Sequence, residues 1–200
     1  AGGGVGAPVA PPAVAVSPPL FSVVVPVHDP PLGLLRACLA SIRNQTWTDW
    51  ELVLVDDGSR DPAVRAELAA ACATDRRVSV HTREQAGGIV AASNDGLAAA
   101  RGEFVVLVDH DDRIEPYALA AVADAIAAEP DADYVYTDED KIDPAGQVYD
   151  TFLKPDWSPE RLRAQNYCTH LSVLRRSLVA EVGGFREGFD GSQEDRKSTR

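Results

Sequence analysis

The sequence predicts an α/β fold in which a mostly parallel central sheet is flanked by helices, giving three layers. Three observations predict it. Short apolar runs alternate with segments whose apolar residues recur at helical spacing. The intervening segments are long enough for crossover helices, which implies right-handed βαβ units covered on both faces. Acidic or polar residues follow three of the runs, at the sheet edge where an open α/β fold carries its ligand crevice.

Each element follows from its residues. Phe21 to Val27 is an apolar run that reads as a buried parallel strand, and Leu35, Cys38, Leu39 and Ile42 repeat at i, i+3, i+4 and i+7, one face of a helix packed on it. Leu52 to Val55 is the second strand, followed by a helix marked by Val64, Leu68, Ala71 and Cys72. Val78 to Val80 is a weaker third strand, with an alanine-rich helix from about Ile89 to Ala100. Phe104 to Val108 is the strongest strand, Leu119, Val122, Ala123 and Ile126 define the next helix, and Tyr134 to Tyr136 forms a fifth strand. Beyond Asp138 the alternation stops, and Pro144, Gly146, Pro155 and Pro159 punctuate an irregular half. Trp47 and Trp50 read as packing residues beside the second strand.

Residues 1–19 are rich in Pro and Gly and lack charge or periodicity, so they are expected to form a disordered linker. Residues 20–195 then form the single folded domain and 196–200 a polar tail. At 200 residues and 45% hydrophobic composition, one sizeable core is expected. A net charge of -12 disfavours nucleic acid and anionic lipid as partners. An acidic protein that handles a phosphorylated substrate needs a cation to mediate. The three cysteines have no CxxC spacing and read as small core hydrophobes in a reducing compartment. No run reaches the roughly 18–20 apolar residues of a spanning helix, so a cytoplasmic protein is expected, with any hold on the inner face of a membrane left to a partner or a missing segment.

The residues at the strand ends are His28 and Asp29 after the first strand, Asp56 and Asp57 after the second, and Asp109, Asp111 and Asp112 after the fourth. They are expected to converge, and a shared divalent cation would relieve the repulsion between like charges. Either acidic cluster alone reads more often as a turn, a helix cap or a solvated loop than as a ligand site. Three in this order change the balance.

The run from Val23 to His28, the run Val53 to Ser59 with its Asp-Asp-Gly-Ser turn, the segment Gly88 to Gly102 with Asn94 and Gly96, and Leu107 to Asp112 resemble the successive signatures of family 2 glycosyltransferases, which have the GT-A fold. The resemblance covers about Phe21 to Gln193. Tyr136 to Asp140, Lys154 to Pro159 and Gly183-Gly184-Phe185 resemble the branch that builds bacterial cell-surface polysaccharides.

That resemblance implies an inverting transfer of a sugar from a nucleoside-diphosphate donor, a UDP-sugar by default, to a hydroxyl of a saccharide or lipid-linked acceptor. It implies that Pro26, His28, Asp57, Asn94 and Asp109 contact the donor, Asp57 accepting the N3 hydrogen of uracil. It further implies that Asp111, with Asp109 directly or through water, holds Mn2+ or Mg2+. The catalytic base in such enzymes follows the Gly-Gly-Phe segment, where this chain has Glu194 and then Asp195, with Asp195 slightly preferred. The polar ending Arg196 to Arg200 lacks the apolar helix that follows the base in these enzymes, and a truncated or altered terminus is expected there. Trp157, Asp112 and His170 are acceptor-side candidates, weighed against packing for Trp157 and a structural role for His170.

A sugar-nucleotide-forming nucleotidyltransferase would carry a glycine-rich basic loop after its first strand, and a dinucleotide-dependent dehydrogenase a G-x-G-x-x-G turn. Neither is present: Pro26-Val27-His28-Asp29-Pro30-Pro31 stands there. A receiver domain would distribute its aspartates differently. The remaining rival is a non-catalytic sugar-nucleotide-binding or assembly module without a complete base site.

Overall fold

The computed structural model describes residues 17–143 and 145–186. Glu194, Asp195, the 196–200 tail and residues 1–16 of the expected linker lie outside the described residues. In chain order the elements are β1 (Phe21–Val27), α1 (Leu32–Arg43), β2 (Trp50–Asp56), α2 (Pro62–Thr74), β3 (Val78–Thr82), α3 (Gly88–Ala99), β4 (Phe104–Leu107), α4 (Ala118–Ala128), β5 (Tyr134–Tyr136), β6 (Glu139–Ile142), β7 (Val148–Phe152), α5 (Pro159–Ala164), β8 (Ser172–Arg175) and α6 (Arg176–Glu181).

The main sheet has the order β3-β2-β1-β4-β8-β5. Strands β3, β2, β1 and β4 are parallel, as the crossover pattern predicts, while β8 runs antiparallel to both of its neighbours. A separate hairpin pairs β6 with β7. The period-2 alternation of a strand divides the core between the two faces. Phe21, Val23, Val25 and Val27 of β1 pack with Leu35 and Leu39 of α1, Leu68 of α2 and Leu119 of α4. Val24, Val53, Val55 and Val105 point the other way, onto Ala92 of α3. The expected three layers are therefore present.

The second face is thin because α3 presents small residues. A Cβ built on Gly96 would lie 2.4 Å from Cγ1 of Val24, so only glycine lets this helix rest on β1. At the opposite end of the strands, the buried Glu51 carboxylate of β2 accepts hydrogen bonds from the Ser22 hydroxyl of β1 (2.6 Å) and the Arg101 amide (2.7 Å), tying both strands to the segment between α3 and β4.

The structure corrects two sequence expectations about elements. Cys72 is exposed, whereas Cys38 and Cys168 are buried, so only two of the three thiols are core residues. The apolar run from Leu171 to Leu174 carries a sheet strand that the alternation did not reveal. The chain leaves β5 at the carboxyl edge of the parallel strands and makes the β6–β7 hairpin and α5. It then returns from that same edge, so β8 must run antiparallel. Ser172 lies between Leu107 and Tyr136 in register, which brings the residues just before it level with those just after Leu107. Trp50 is buried and Trp47 packs against the core, as their expected packing role requires.

Candidate active site

Beside one another at the carboxyl edge, the ends of β2, β1 and β4 supply the first parts of the site. Gly58, at φ 70°, reverses the chain directly after Asp57 and turns the Asp57 carboxylate toward the start of α3. That helix has no side-chain cap of its own. Asp57 supplies one: Oδ1 accepts from the Gly87 amide (2.8 Å) and Oδ2 from the Gly88 amide (2.9 Å). Arg83, one residue past β3, places Nε 2.9 Å from Asp57 Oδ1 and also pairs with Asp95. The Asp57 side chain is only 6% exposed.

His28 follows β1. Its Nδ1 lies 2.8 Å from the Asp57 carbonyl, which only accepts, so Nδ1 carries a proton and the exposed edge of the ring presents Nε2. Asp29 accepts from the Arg60 and Asp61 amides through Oδ1, and these bonds, led by that from Asp61, hold its carboxyl below the ordinary range. Asp56 accepts from the Ser59 amide at 2.8 Å. These aspartates are thus held by backbone N–H groups and, for Asp57, by a guanidinium. The expectation that all three strand-end clusters share one cation is corrected: among the described residues, the first two contribute no atom to the group of side chains close enough to hold a metal ion, and are held by backbone N–H groups and Arg83 instead.

The third cluster is different. After β4 the chain turns, with the Asp112 amide on the Asp109 carbonyl (3.0 Å), and His110 Nδ1 donates to the Pro26 carbonyl (3.2 Å), fastening the loop to the end of β1. Cys38 of α1 sits beneath the loop, its thiol 3.5 Å from the Asp109 carbonyl, and burial pushes that thiol up to about 12. His170, brought here by the antiparallel course of β8, places Nδ1 3.1 Å from Asp112 Oδ2 and Nε2 3.9 Å from Asp109 Oδ2.

One ligand atom from each of Asp109, Asp112 and His170 lies within 4.8 Å of the others. The Asp112 Oδ2 atom is buried and has no hydrogen bond of acceptable geometry. A buried acceptor left in that condition costs free energy, and a cation at this point would satisfy it. The residues therefore fit a divalent ion.

Asp111 is exposed and is not among these three, although the sequence pattern singled it out as the direct ligand. Asn94 lies on α3 and gives both ends of its amide to Phe185, donating to its carbonyl and accepting from its N–H at 2.9 Å each. A donor contact from Asn94 would have to displace that clamp. Pro26 is partly buried at the end of β1. Trp157 is 56% exposed and makes a T-shaped contact with the Tyr134 ring, centroids 6.4 Å apart. Arg83 escaped the sequence reading, yet a lone basic residue just past a strand, level with an acidic pair on the neighbouring strand, was its available signal.

Residues 22–183 match the family described as Glycosyl transferase family 2. The chain belongs to that family. Among relatives of this family 2 chain, O-antigen biosynthesis protein RfbC of Myxococcus xanthus is 46% identical over 175 residues, covering 88% of this chain but 14% of the relative. Among solved structures, S. aureus TarS in complex with UDP superposes with a TM-score of 0.69 at 24% identity, covering 86% of this chain and 52% of that one. A mannosyltransferase from Pyrobaculum calidifontis in complex with GDP-Man and Mn2+ gives a TM-score of 0.61 at 21% identity, covering 84% of this chain and 48% of that one. These likenesses establish the GT-A-like fold of the family 2 domain. Among the described residues, no helix is long and apolar enough to cross a membrane.

Proposed function

We propose that this domain is the donor-binding and catalytic core of an inverting, metal-dependent glycosyltransferase. It moves a sugar from a UDP-sugar to a hydroxyl of a saccharide or lipid-linked acceptor during surface polysaccharide synthesis. The observation that carries the reading is the group formed by Asp109, Asp112 and His170, at the same carboxyl edge of the sheet as Asp57 with its backbone-held carboxylate. One end is suited to a metal-bound diphosphate and the other to a nucleobase.

At the base end, Asp57 accepts two backbone N–H groups and is ion-paired with the Arg83 guanidinium through Oδ1. Each carboxylate oxygen has about two acceptor positions, and Oδ2, which takes only the Gly88 amide, keeps one for the N3 hydrogen of uracil. Arg83 pairs with the carboxylate, and His28, bonded to the Asp57 carbonyl, and Pro26 at the end of β1 would contact the donor beside it. At the metal end, Asp109, Asp112 and His170 would hold the ion, and Asp111, exposed on the same loop, would reach it only by rearrangement. A mixed carboxylate–imidazole set favours Mn2+ over Mg2+, which prefers an all-oxygen shell. Bound there, the ion supplies Lewis-acid stabilisation of the departing diphosphate. Asp195, or Glu194, would take the acceptor proton from the opposite side. The exposed Trp157 ring is suited to stack on the apolar face of an acceptor sugar.

Calorimetric titration of UDP with Mn2+ and with EDTA, followed by an assay of transfer from UDP-sugars, tests this. Tight binding only with Mn2+, together with turnover, is expected. Metal-dependent binding without turnover on any acceptor would identify a binding module instead, and binding indifferent to metal would overturn the mechanism.

A further inference from the structure

Lys154 stands just beyond the β6–β7 hairpin, and its side chain is 1% exposed. Burying an ammonium is costly unless every proton is matched. Here the three protons face three acceptors: the Cys168 carbonyl at 2.9 Å, the His170 carbonyl, and Glu139 Oε2 at 3.1 Å. Glu139, the first residue of the hairpin, uses the same Oε2 to accept from the Thr169 hydroxyl (2.8 Å) and the His170 amide (3.3 Å). Burial alone would raise the Glu139 carboxyl, but the hydrogen bonds from Thr169 and Lys154 and the charge on Lys154 outweigh it and leave it below the ordinary range.

Both backbone polar groups of His170 are therefore fixed by a side-chain ion pair instead of a sheet ladder, since β8 begins only at Ser172. No other site role for Lys154 is suggested by its contacts: its amine is enclosed and points at the backbone. The pair spans the base of the hairpin, with Lys154 N also bonded to Asp138 Oδ1 at 2.7 Å. The geometry points to the Glu139–Lys154 pair as the positioning device that aims His170 at Asp109 and Asp112. This inference rests on the reading of those three residues as a metal site. Its logic is that of outer-shell support: a ligand whose own backbone is clamped pays less to adopt the binding geometry.

The test measures Mn2+ affinity by the electron paramagnetic resonance signal of the free ion, and UDP affinity in EDTA, on the full chain. Lys154→Met is expected to weaken Mn2+ binding about 10–100-fold while leaving UDP binding in EDTA within about twofold. Thr169→Val removes one hydrogen bond without disturbing the buried charge, and is expected to weaken Mn2+ binding about 2- to 12-fold, the range of one such bond. If Lys154→Met fails to fold or loses UDP binding as well, Thr169→Val decides the question. Unchanged Mn2+ affinity in the variants, alongside a loss in His170→Ala, overturns the positioning role and leaves the metal site standing. Unchanged Mn2+ affinity in His170→Ala overturns the metal reading and this inference with it.

Discussion

Asp111 and Asp112 are neighbours in one loop, yet their surroundings separate them. Asp112 has a buried, unbonded oxygen 3.1 Å from the His170 ring, whereas Asp111 is exposed to water. Asp112→Ala is therefore expected to weaken Mn2+ binding at least about tenfold, or ~1.4 kcal/mol, and Asp111→Ala by much less. A direct titration of the two variants checks this, and the reverse order would restore Asp111 as the ligand. Asp57→Asn is expected to act differently. It puts an amide NH2 against N–H donors, at a cost of about 1–3 kcal/mol in stability, and weakens UDP binding even in EDTA. The acidic loop was readable as a candidate only beside the two other strand-end clusters and the family resemblance, because an aspartate cluster alone reads as a turn or a solvated loop. Which aspartate points inward was not legible, because that depends on a histidine 58 positions beyond Asp112 in the sequence.

At the scale of elements, periodicity located the five strands and four helices up to Tyr136 because each has an apolar face that must be buried. The same reasoning stopped at β8, whose four residues have an ordinary apolar pattern. A strand that short offers little periodicity, and its pairing is set by the direction from which the chain returns. His170 was consequently read as an isolated residue. The contact of α3 with β1 has a sharper consequence. Gly96→Ala gains about 1 kcal/mol of helix propensity, but its methyl would lie 2.4 Å from Val24 Cγ1, a stiff β-branched side chain inside the sheet. Overpacking of about 1–3 kcal/mol is expected to win, and Val24→Ala to recover part of it in a double-mutant cycle measured by urea unfolding. Glu51 adds a pH dependence. Burial alone would raise its carboxyl, but hydrogen bonds from Ser22 and Arg101, with the Arg101 charge, hold it below the ordinary range. Its contribution is present above the unfolded-state value of about 4.3 and is lost as pH falls through the lower folded-state value. Glu51→Gln is thus expected to flatten the fall of stability across that acid window, and an unchanged slope would count against the assignment.

For the molecule as a whole, the net charge of -12 decides how a diphosphate is received. A strongly anionic surface repels an anionic donor, and the Arg83 guanidinium beside Asp57 is already shared between Asp57 and Asp95. On the proposed function, charge neutralisation comes with the ligand, so nucleotide binding and cation binding are expected to depend on each other. A ligand at one hundred times its dissociation constant stabilises the folded state by about 2.7 kcal/mol, or roughly 5–11 °C in melting temperature for a domain of this size. UDP and Mn2+ together are expected to produce a shift of that order in thermal melts, and UDP in EDTA a much smaller one. Salt separates the two further. Raising ionic strength from about 0.01 M to about 0.1 M shortens the screening length from about 30 Å to about 10 Å. The weak metal-free binding of UDP should then tighten as repulsion fades, while the Mn2+-dependent shift changes little because its charges are already matched at close range. A metal-free shift that weakens with salt would mean that the nucleotide meets a basic surface, contrary to the distribution of charge on which the mechanism is built.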